Sequence, residues 1–204
     1  MNVIFTCGGT GGHINPGIAV ANILRERYPD SNILFVGGEG GMEEDLVPKA
    51  GYKIEALPCS SLRRGLSPKS IIHNAKGVGY VVSALKKSKK LIESFQPDVI
   101  LGTGGYASFP ALYMGTRMGI PTCVHEANAV PGLATRLVAD RVDQILVTFA
   151  RALRATSTRR KSARWVCRCA VSLFTATASL PAGNWDWMKD LWSSRPLALW
   201  EPER

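Results

Sequence analysis

Short runs of β-branched and apolar residues recur along the first 150 residues, and longer segments of mixed polarity separate them. Runs of this length that end in glycine or polar residues are typical of strands buried in a sheet. The pattern therefore predicts six strands, over residues 2–7, 32–36, 53–57, 99–102, 121–125 and 143–147.

The segments between these runs have the spacing of helices. In the first of them, Ile18, Ala21 and Leu24 share one face, and Asn15-Pro16 provides an N-cap and a first-turn proline. Strands that alternate with helices form a parallel sheet covered on both faces, so we expect an α/β, Rossmann-like domain over residues 1–150. Helices are predicted over residues 16–27, 42–50, 67–95, 109–118 and 131–139.

The remainder of the chain differs in composition. Residues 151–204 carry 10 Lys and Arg against 4 Asp and Glu, a net +6 of the chain's +9, and they hold all five tryptophans. No helical or strand period persists there, and a segment this short makes a marginal core. We interpret it as an irregular basic tail, disordered or out-of-frame. The alternative is an arm for nucleic acid or membrane, although we expect no nucleic-acid partner.

Four glycines follow the first predicted strand, in the sequence Gly8-Gly9-Thr10-Gly11-Gly12. A loop that leads from a strand into a helix presents backbone N–H groups and the helix dipole to anions, and glycine lets a ligand approach closely. The segment is not a P-loop, since no Gly-Lys-Ser/Thr follows, and not a dinucleotide fingerprint, since Ile14 replaces the third glycine. A tight turn would need fewer glycines, so we predict a binding loop.

A second glycine cluster, residues 102–108, follows the strand predicted at 99–102 and contains Gly104, Gly105 and Tyr106. Taken alone, it fits a turn as well as a site. The carboxyl ends of parallel strands lie at one edge of a sheet, where ligands bind. Together, the two glycine clusters would therefore form one cradle for a diphosphate or a sugar.

Two histidines stand beside these loops. His13 follows the first glycine cluster, and His125 begins the sequence His125-Glu126-Ala127-Asn128 at the end of a predicted strand. A base, a carboxylate and an amide thus meet at the same edge. Imidazole titrates near neutrality and suits general-base chemistry. A lone histidine is usually structural, but two of them beside glycine loops make a catalytic role worth testing.

The segment 71–92 combines apolar residues such as Tyr80 and Val82 with Lys86, Lys87, Lys89 and Lys90. A helix of this kind suits the interface of an anionic membrane. A helix with one buried face and one solvated lysine face explains the pattern equally well, because periodicity does not separate the two. Both interpretations remain open at this stage.

The cysteines and the first residues of the chain give an indication of the cellular compartment of the protein. The five cysteines have no metal-ligand spacing and no even-numbered framework, which fits a reducing compartment, and we expect no metal and no cofactor. The first residues lack the charged and long apolar regions of a signal peptide.

The first 150 residues closely resemble the N-terminal domain of the MurG family of bacterial glycosyltransferases. The order and spacing of the shared motifs run along the whole domain. The motifs that carry the resemblance are Gly8-Gly9-Thr10-Gly11-Gly12-His13 with Pro16-Gly17, Met42-Glu43 with Leu46-Val47-Pro48, Leu62-Arg63-Arg64-Gly65, Pro97-Asp98-Val99, Gly102-Thr103-Gly104-Gly105-Tyr106, and His125-Glu126-Ala127-Asn128 with Gly132-Leu133.

The resemblance implies the N-terminal half of a GT-B glycosyltransferase, which binds acceptor lipid, facing a second domain that holds most of the donor. It implies metal-free, inverting transfer of GlcNAc from UDP-GlcNAc to the undecaprenyl-pyrophosphoryl-MurNAc-pentapeptide lipid I, which forms lipid II, at the cytoplasmic face of the plasma membrane. His13 carries over as general base, with Glu126 and Tyr106 beside the acceptor. Contacts to the donor carry over to Thr10, Gly11, Gly12 and Asn128, and contacts to the acceptor diphosphate to Gly104 and Gly105.

The resemblance departs from the family pattern at Ala127, where the family usually has Gln, and it stops near residue 150. A GT-B enzyme needs both walls of its cleft, so we expect little or no turnover by this chain alone. Two alternatives remain: a non-catalytic lipid- or membrane-binding module, and a nucleotide-sugar epimerase or other GT-B transferase, which accounts less well for the second glycine cluster.

Overall fold

The computed structural model describes residues 1–59, 68–149, Ala152 and 164–167. Its centre is a parallel sheet with the strand order β3-β2-β1-β4-β5-β6-β7. The elements in chain order are β1 (Asn2–Cys7), α1 (Gly11–Arg27), β2 (Asn32–Gly38), α2 (Glu43–Lys49), β3 (Lys53–Leu57), α3 (Pro68–Phe95), β4 (Val99–Gly104), α4 (Ser108–Arg117), β5 (Thr122–Glu126), α5 (Leu133–Val138), β6 (Gln144–Val147) and β7 (Arg164–Cys167).

Helices cover both faces of the sheet, as the alternation predicted. On one face α1 and α2 pack over Phe5, Phe35 and Tyr52, and the rings of Phe5 and Phe35 stack with centroids 5.2 Å apart. On the other face α3, α4 and α5 pack over a second core that includes Ile100 and Val124. The predicted α/β, Rossmann-like fold class is confirmed.

The first helix begins earlier than the sequence predicted. We expected Asn15 as N-cap and Pro16 in the first turn, but Thr10 is the N-cap and Pro16 lies inside the helix. The extended backbone of Thr10 (φ −151°, ψ 154°) leaves the strand, and its carbonyl oxygen accepts hydrogen bonds from the N–H groups of His13 (3.0 Å) and Ile14 (3.1 Å). Gly11 and Gly12 therefore belong to the first helical turn, whereas Gly8 and Gly9 lie in the loop that precedes it.

The structure adds one strand that the sequence did not predict. Four residues of the tail, Arg164–Cys167, form β7 and extend the sheet parallel to β6. The segment is too short to show a period of two, and basic residues surround it, so the sequence pattern concealed it. The rest of our interpretation of residues 151–204 concerns residues that, apart from Ala152, lie outside those described.

Within the described residues, no helix combines the length and apolarity that a membrane crossing requires. The Leu62-Arg63-Arg64-Gly65 motif also lies outside the described residues.

Candidate functional site

Three loops meet at the carboxyl edge of the sheet because β1, β4 and β5 are neighbours in it. The first, residues 8–10, joins β1 to α1; the second, residues 105–107, joins β4 to α4; and the third, residues 127–132, joins β5 to α5. Every residue that the sequence marked as a candidate site residue lies in these loops or at the ends of the elements that they join. Parallel α/β sheets bind ligands at this edge.

The first turn of α1 opens onto this edge. Thr10 and Gly12 are exposed and Gly11 is partly exposed. The first N–H groups of a helix have no acceptor within the helix, and they carry the positive end of its dipole. The N–H groups of His13 and Ile14 donate hydrogen bonds to the Thr10 carbonyl oxygen. The backbone N–H groups of Gly11 and Gly12 are therefore the ones positioned for an anion.

The two glycine clusters touch each other. A Cβ atom at Gly105 would collide with the carbonyl oxygen of Gly8, and a Cβ atom at Gly104 would lie 2.7 Å from Cδ2 of His13. Both Gly104 (φ +102°) and Gly105 (φ +84°) adopt positive φ angles, which L side chains rarely tolerate. Glycine is thus required here both for the backbone conformation and for the close approach of the two loops.

His13 is held at two points and keeps its ring partly exposed. Its Nδ1 lies 3.1 Å from the Oγ1 of Thr10, and the Thr103 hydroxyl donates a 2.6 Å hydrogen bond to its carbonyl oxygen. When Nδ1–H donates to Thr10, the Nε2 atom carries a free lone pair. The imidazole then stands beside Gly104 with one nitrogen available to accept a proton.

The Tyr106 side chain packs against Gly9 in the first loop and against Gly38 at the end of β2. Its ring lies so close that a Cβ atom at Gly9 would be 3.1 Å from it and one at Gly38 would be 3.3 Å from it, both tight contacts. Burial raises the pKa of the Tyr106 phenol above its ordinary value, and the nearby Glu43 and Cys59 add to the increase. The phenol therefore keeps its proton and acts as a hydrogen-bond donor.

Glu126 is buried, with 2% of its surface exposed, and both of its oxygens are occupied. Oε1 accepts hydrogen bonds from the backbone N–H (2.9 Å) and the side-chain amide (2.7 Å) of Asn128. Oε2 accepts from the Gly132 N–H (2.9 Å) and the Thr135 hydroxyl (2.7 Å). Because four donors bond to this carboxylate, it stabilises the conformation of the loop that joins β5 to α5. Asn128, by contrast, is exposed at the edge.

His125 points into the protein and is 5% exposed. Its Nε2 lies 3.1 Å from the Thr148 hydroxyl, and its Nδ1 is buried without a hydrogen-bond partner among the described residues. Burial lowers the pKa of His125 below its ordinary value, although the neighbouring Glu126 opposes the shift. The ring is therefore neutral at neutral pH, and of the two candidate histidines only His13 faces the open edge.

Glu43 is a residue of this edge to which sequence reasoning assigned no role. It is fully buried at the start of α2, and it accepts hydrogen bonds from the N–H groups of Gly9 (3.1 Å) and Gly38 (2.8 Å). Its signal in the sequence is the run of glycines at 37, 38, 40 and 41 just before it. Its burial could not be read from the sequence, because a charged residue in a first helical turn is usually solvated.

The lysines of α3 belong to a different region. Lys86, Lys89 and Lys90 are exposed, and Val82, which is 47% exposed, precedes Lys86 and Lys90 by one and two helical turns. Lys87 is also exposed, and it donates a 2.6 Å hydrogen bond to the Ala56 carbonyl. Among the described residues, no cluster of His, Cys, Asp and Glu could hold a metal ion.

Comparison with known proteins identifies the family to which this chain belongs. The profile of the glycosyltransferase family 28 N-terminal domain matches residues 3–147. The UDP-N-acetylglucosamine--N-acetylmuramyl-(pentapeptide) pyrophosphoryl-undecaprenol N-acetylglucosamine transferase of Alkaliphilus oremlandii is 44% identical over 149 residues, which are 73% of this chain and 40% of that protein. The chain thus spans about two fifths of the length of the curated relatives that it matches.

Solved structures share the fold. The crystal structure of Acinetobacter baumannii MurG superimposes with a TM-score of 0.61 at 21% identity, over 81% of this chain and 44% of that one. A UDP-N-acetylglucosamine 2-epimerase superimposes with a TM-score of 0.59 at 13% identity, over 90% of this chain and 52% of that one. Backbone likeness alone does not separate transferase from epimerase, but the sequence match does: this chain belongs to glycosyltransferase family 28, and residues 3–147 form that family's N-terminal domain.

Proposed function

We propose that this chain is the acceptor-binding half of an inverting, metal-free N-acetylglucosaminyltransferase that transfers GlcNAc from UDP-GlcNAc to lipid I and forms lipid II for peptidoglycan synthesis and cell wall biogenesis. The observation that carries the proposal is the contact between the two glycine clusters, which places the partly exposed His13 ring against Gly104. The 44% identity to a transferase of that name supports it.

His13 serves as the general base in this proposal. As the 4-hydroxyl oxygen of the acceptor sugar bonds to C1 of GlcNAc, the bond between C1 and the UDP oxygen breaks. The hydroxyl proton passes to Nε2 of His13 while Thr10 accepts the hydrogen bond from Nδ1–H and fixes the tautomer. The product is lipid II, and UDP leaves with the bonding electrons.

Backbone N–H groups bind the negatively charged phosphates of the substrates in this proposal. Those of Gly11 and Gly12 lie at the positive end of the α1 dipole and are directed to the donor together with Thr10. Gly104 and Gly105 contribute backbone to the acceptor diphosphate site in this proposal, and they lack side chains because His13 and the Gly8 backbone lie directly against them. Tyr106 keeps its phenolic proton and donates a hydrogen bond on the acceptor side.

Glu126 has a supporting role in this mechanism. Four donors occupy its two oxygens, so it holds the loop that presents Asn128 to the donor sugar, and it takes no proton from the acceptor. Among the residues that we marked as catalytic, this leaves the proton transfer to His13.

We also propose that the protein lies peripherally on the anionic cytoplasmic face of the plasma membrane. The support is the exposed surface of α3, where Val82 stands in line with Lys86 and Lys90 and Lys89 is adjacent. Lysines contribute attraction to anionic lipid headgroups, and exposed apolar side chains enter the interface. The same surface is the observation that favours the alternative, a non-catalytic membrane-binding module.

Two measurements test the proposal. Isothermal titration of the 204-residue chain with a water-soluble lipid I analogue should show binding, and Gly104→Ala should abolish it. A chimera that continues after residue 149 with the corresponding part of the Alkaliphilus oremlandii transferase should release UDP from UDP-GlcNAc only when the analogue is present. The 204-residue chain alone should form little or no product.

The His13→Ala chimera should lose at least about a hundredfold in turnover, the range expected for a general base. Glu26→Ala, an exposed change on the far turn of α1, is the matched control and should leave turnover unchanged. Equal turnover in the His13→Ala and Glu26→Ala chimeras would exclude His13 as the base. UDP release, or epimerised sugar, with the donor alone would favour the epimerase instead.

A further inference from the structure

The Glu43 carboxylate lies beneath both strand-to-helix loops of the β1–β2 pair. Oε2 accepts a hydrogen bond from the Gly9 N–H at 3.1 Å, and Oε1 accepts one from the Gly38 N–H at 2.8 Å. The residue is fully buried. Among the described residues, no lysine or arginine forms an ion pair with it, so these backbone donors are what compensates its charge.

The surrounding glycines leave room for this one side chain. A Cβ atom at Gly8 would lie 2.5 Å from Oε1 of Glu43, and Cβ atoms at Gly37 or Gly41 would also collide with the Glu43 side chain. Three glycines, one after β1, one at the end of β2 and one in the loop that follows β2, thus pack around a single carboxyl group. Buried carboxylates are costly unless their acceptors are satisfied, so the chain has strong reason to keep this geometry.

The same carboxylate limits which N–H groups can meet a ligand. Because Glu43 occupies the Gly9 N–H, that group faces inward, and the ligand is left with N–H groups of the first turn of α1, those of Gly11 and Gly12 among them. Tyr106 covers Gly9 and Gly38 from the other side. Gly9 is therefore held between a carboxylate and an aromatic ring.

We propose that Glu43 is a positioning residue, which fixes the Gly8–Gly9 segment so that the first turn of α1 presents its free N–H groups to the anionic substrate. It touches no substrate itself and acts through Gly9. The substrate part of this inference rests on the proposed function, whereas the effect on the loop does not.

Glu44 offers a matched control on the adjacent position. It carries the same charge in the same helical turn and also accepts a glycine N–H, that of Gly40 at 2.9 Å, but it is exposed and its hydrogen bond lies within its own loop. In Glu43→Gln, one oxygen becomes an amide that faces an N–H donor, so one of the two bonds is lost and the other loses its charge assistance, which weakens the hold on Gly9 in either orientation. Glu44→Gln makes the same chemical change without touching Gly9.

Amide hydrogen exchange read by NMR on the full chain tests the positioning. In Glu43→Gln, the Gly9 amide should exchange at least about tenfold faster, as expected when a charge-assisted bond is lost. The amides of Ile4 and Phe5 in the sheet core should keep their rates. In Glu44→Gln, the rate at Gly9 should stay that of the wild type. Unchanged exchange at Gly9 in Glu43→Gln would overturn the inference.

Two further variants guard against a purely structural explanation. Val47→Ala removes a fully buried side chain from α2 and should lower overall stability without selective loosening of Gly9. Glu43→Asp keeps the charge but shortens the reach by one methylene, so it should loosen Gly9 even if Glu43→Gln does not fold. Equal acceleration at Gly9 and at the core amides in both Glu43 variants would show a structural role only and overturn the inference.

Titration with the soluble lipid I analogue completes the test. The Glu43 variants should bind it at least about fivefold more weakly, while Val47→Ala and Glu44→Gln bind it as the wild type does. Loosened Gly9 with unchanged affinity would overturn the substrate part alone. If the wild-type chain does not bind the analogue, the proposed function fails, and the exchange data still decide whether Glu43 positions the loop.

Discussion

The Thr103 hydroxyl donates a 2.6 Å hydrogen bond to the carbonyl oxygen of His13, across 90 residues of sequence. Thr103 is 2% exposed at the end of β4, and it also packs against the helical Gly17. The bond fastens the first turn of α1 to the neighbouring strand. It therefore fixes the position of His13 relative to the carboxyl edge of the sheet.

Thr103→Val should lower the free energy of unfolding by about 1 kcal/mol, because it removes a buried hydroxyl donor while it keeps the shape. Thr103→Ser keeps the hydroxyl and should retain the hydrogen bond. Urea unfolding followed by circular dichroism measures both variants. A Val variant as stable as the wild type would show that this bond contributes nothing to the fold.

Gly104→Ala should be more damaging than Gly40→Ala. Both glycines have positive φ angles, +102° and +70°, but a Cβ atom at Gly104 would lie 2.7 Å from His13, whereas nothing lies within 4 Å at Gly40. Gly40→Ala therefore reports backbone strain alone, about 1–2 kcal/mol. Urea unfolding should give a larger loss for Gly104→Ala. Equal losses would contradict a close contact between His13 and the second glycine cluster.

Glu126→Gln should lower the free energy of unfolding by at least about 2 kcal/mol, because an amide would face donors that now bind a carboxylate. Thr135→Val removes a single donor and should cost less. Faster amide exchange should follow in the Glu126 variant at Asn128 and Gly132, whose N–H groups bond to the carboxylate. Wild-type exchange at both amides would contradict its role in holding the loop.

His125 should make the protein less stable in mild acid. Its folded-state pKa is lowered by burial, so below the unfolded value of about 6.5 the unfolded chain binds more protons than the folded one. Its contribution is complete above that pH and declines below it, by up to about 1.4 kcal/mol per pH unit. Urea unfolding between pH 7.5 and 5.5 should show a shallower dependence in His125→Gln. Identical slopes would contradict a neutral, buried His125.

The exposed lysines of α3 should bind anionic vesicles. Replacing Lys86, Lys89 and Lys90 by Gln should weaken co-sedimentation with vesicles that contain phosphatidylglycerol by about a hundredfold at low salt, since each lysine contributes about 1 kcal/mol. The loss should shrink as salt screens the attraction.

The control for this experiment removes equal charge elsewhere. Lys53, Arg117 and Arg136 are exposed on other elements, and their triple Gln variant should keep most of the binding. Equal losses in the two triple variants would indicate net charge alone. Vesicle binding by a chain that does not bind the lipid I analogue would favour the membrane-binding module.

Local pattern was sufficient for the order of the first six strands, for the five helices between them and for the position of the glycine clusters. A buried strand needs only its own apolar run, and parallel strands must bring their carboxyl ends to one edge. Thr10, His13, Gly104 and Asn128 could therefore be assigned to the same edge before any contact was known. Hydrophobic periodicity also predicted helices on both faces.

The roles of individual side chains were decided by tertiary structure. Glu43 reaches Gly9 across 34 residues of sequence because β2 lies beside β1, and Glu126 is surrounded by donors because its loop folds back onto it. Neither neighbour is visible in a linear pattern, which shows a charged residue without its partners. The amino-acid sequence by itself thus determined the first six strands and the edge at which the candidate site residues meet, whereas only the tertiary structure decided which carboxylates are occupied and which histidine remains open, because hydrogen-bond partners and burial depend on how each loop folds and on what packs against it.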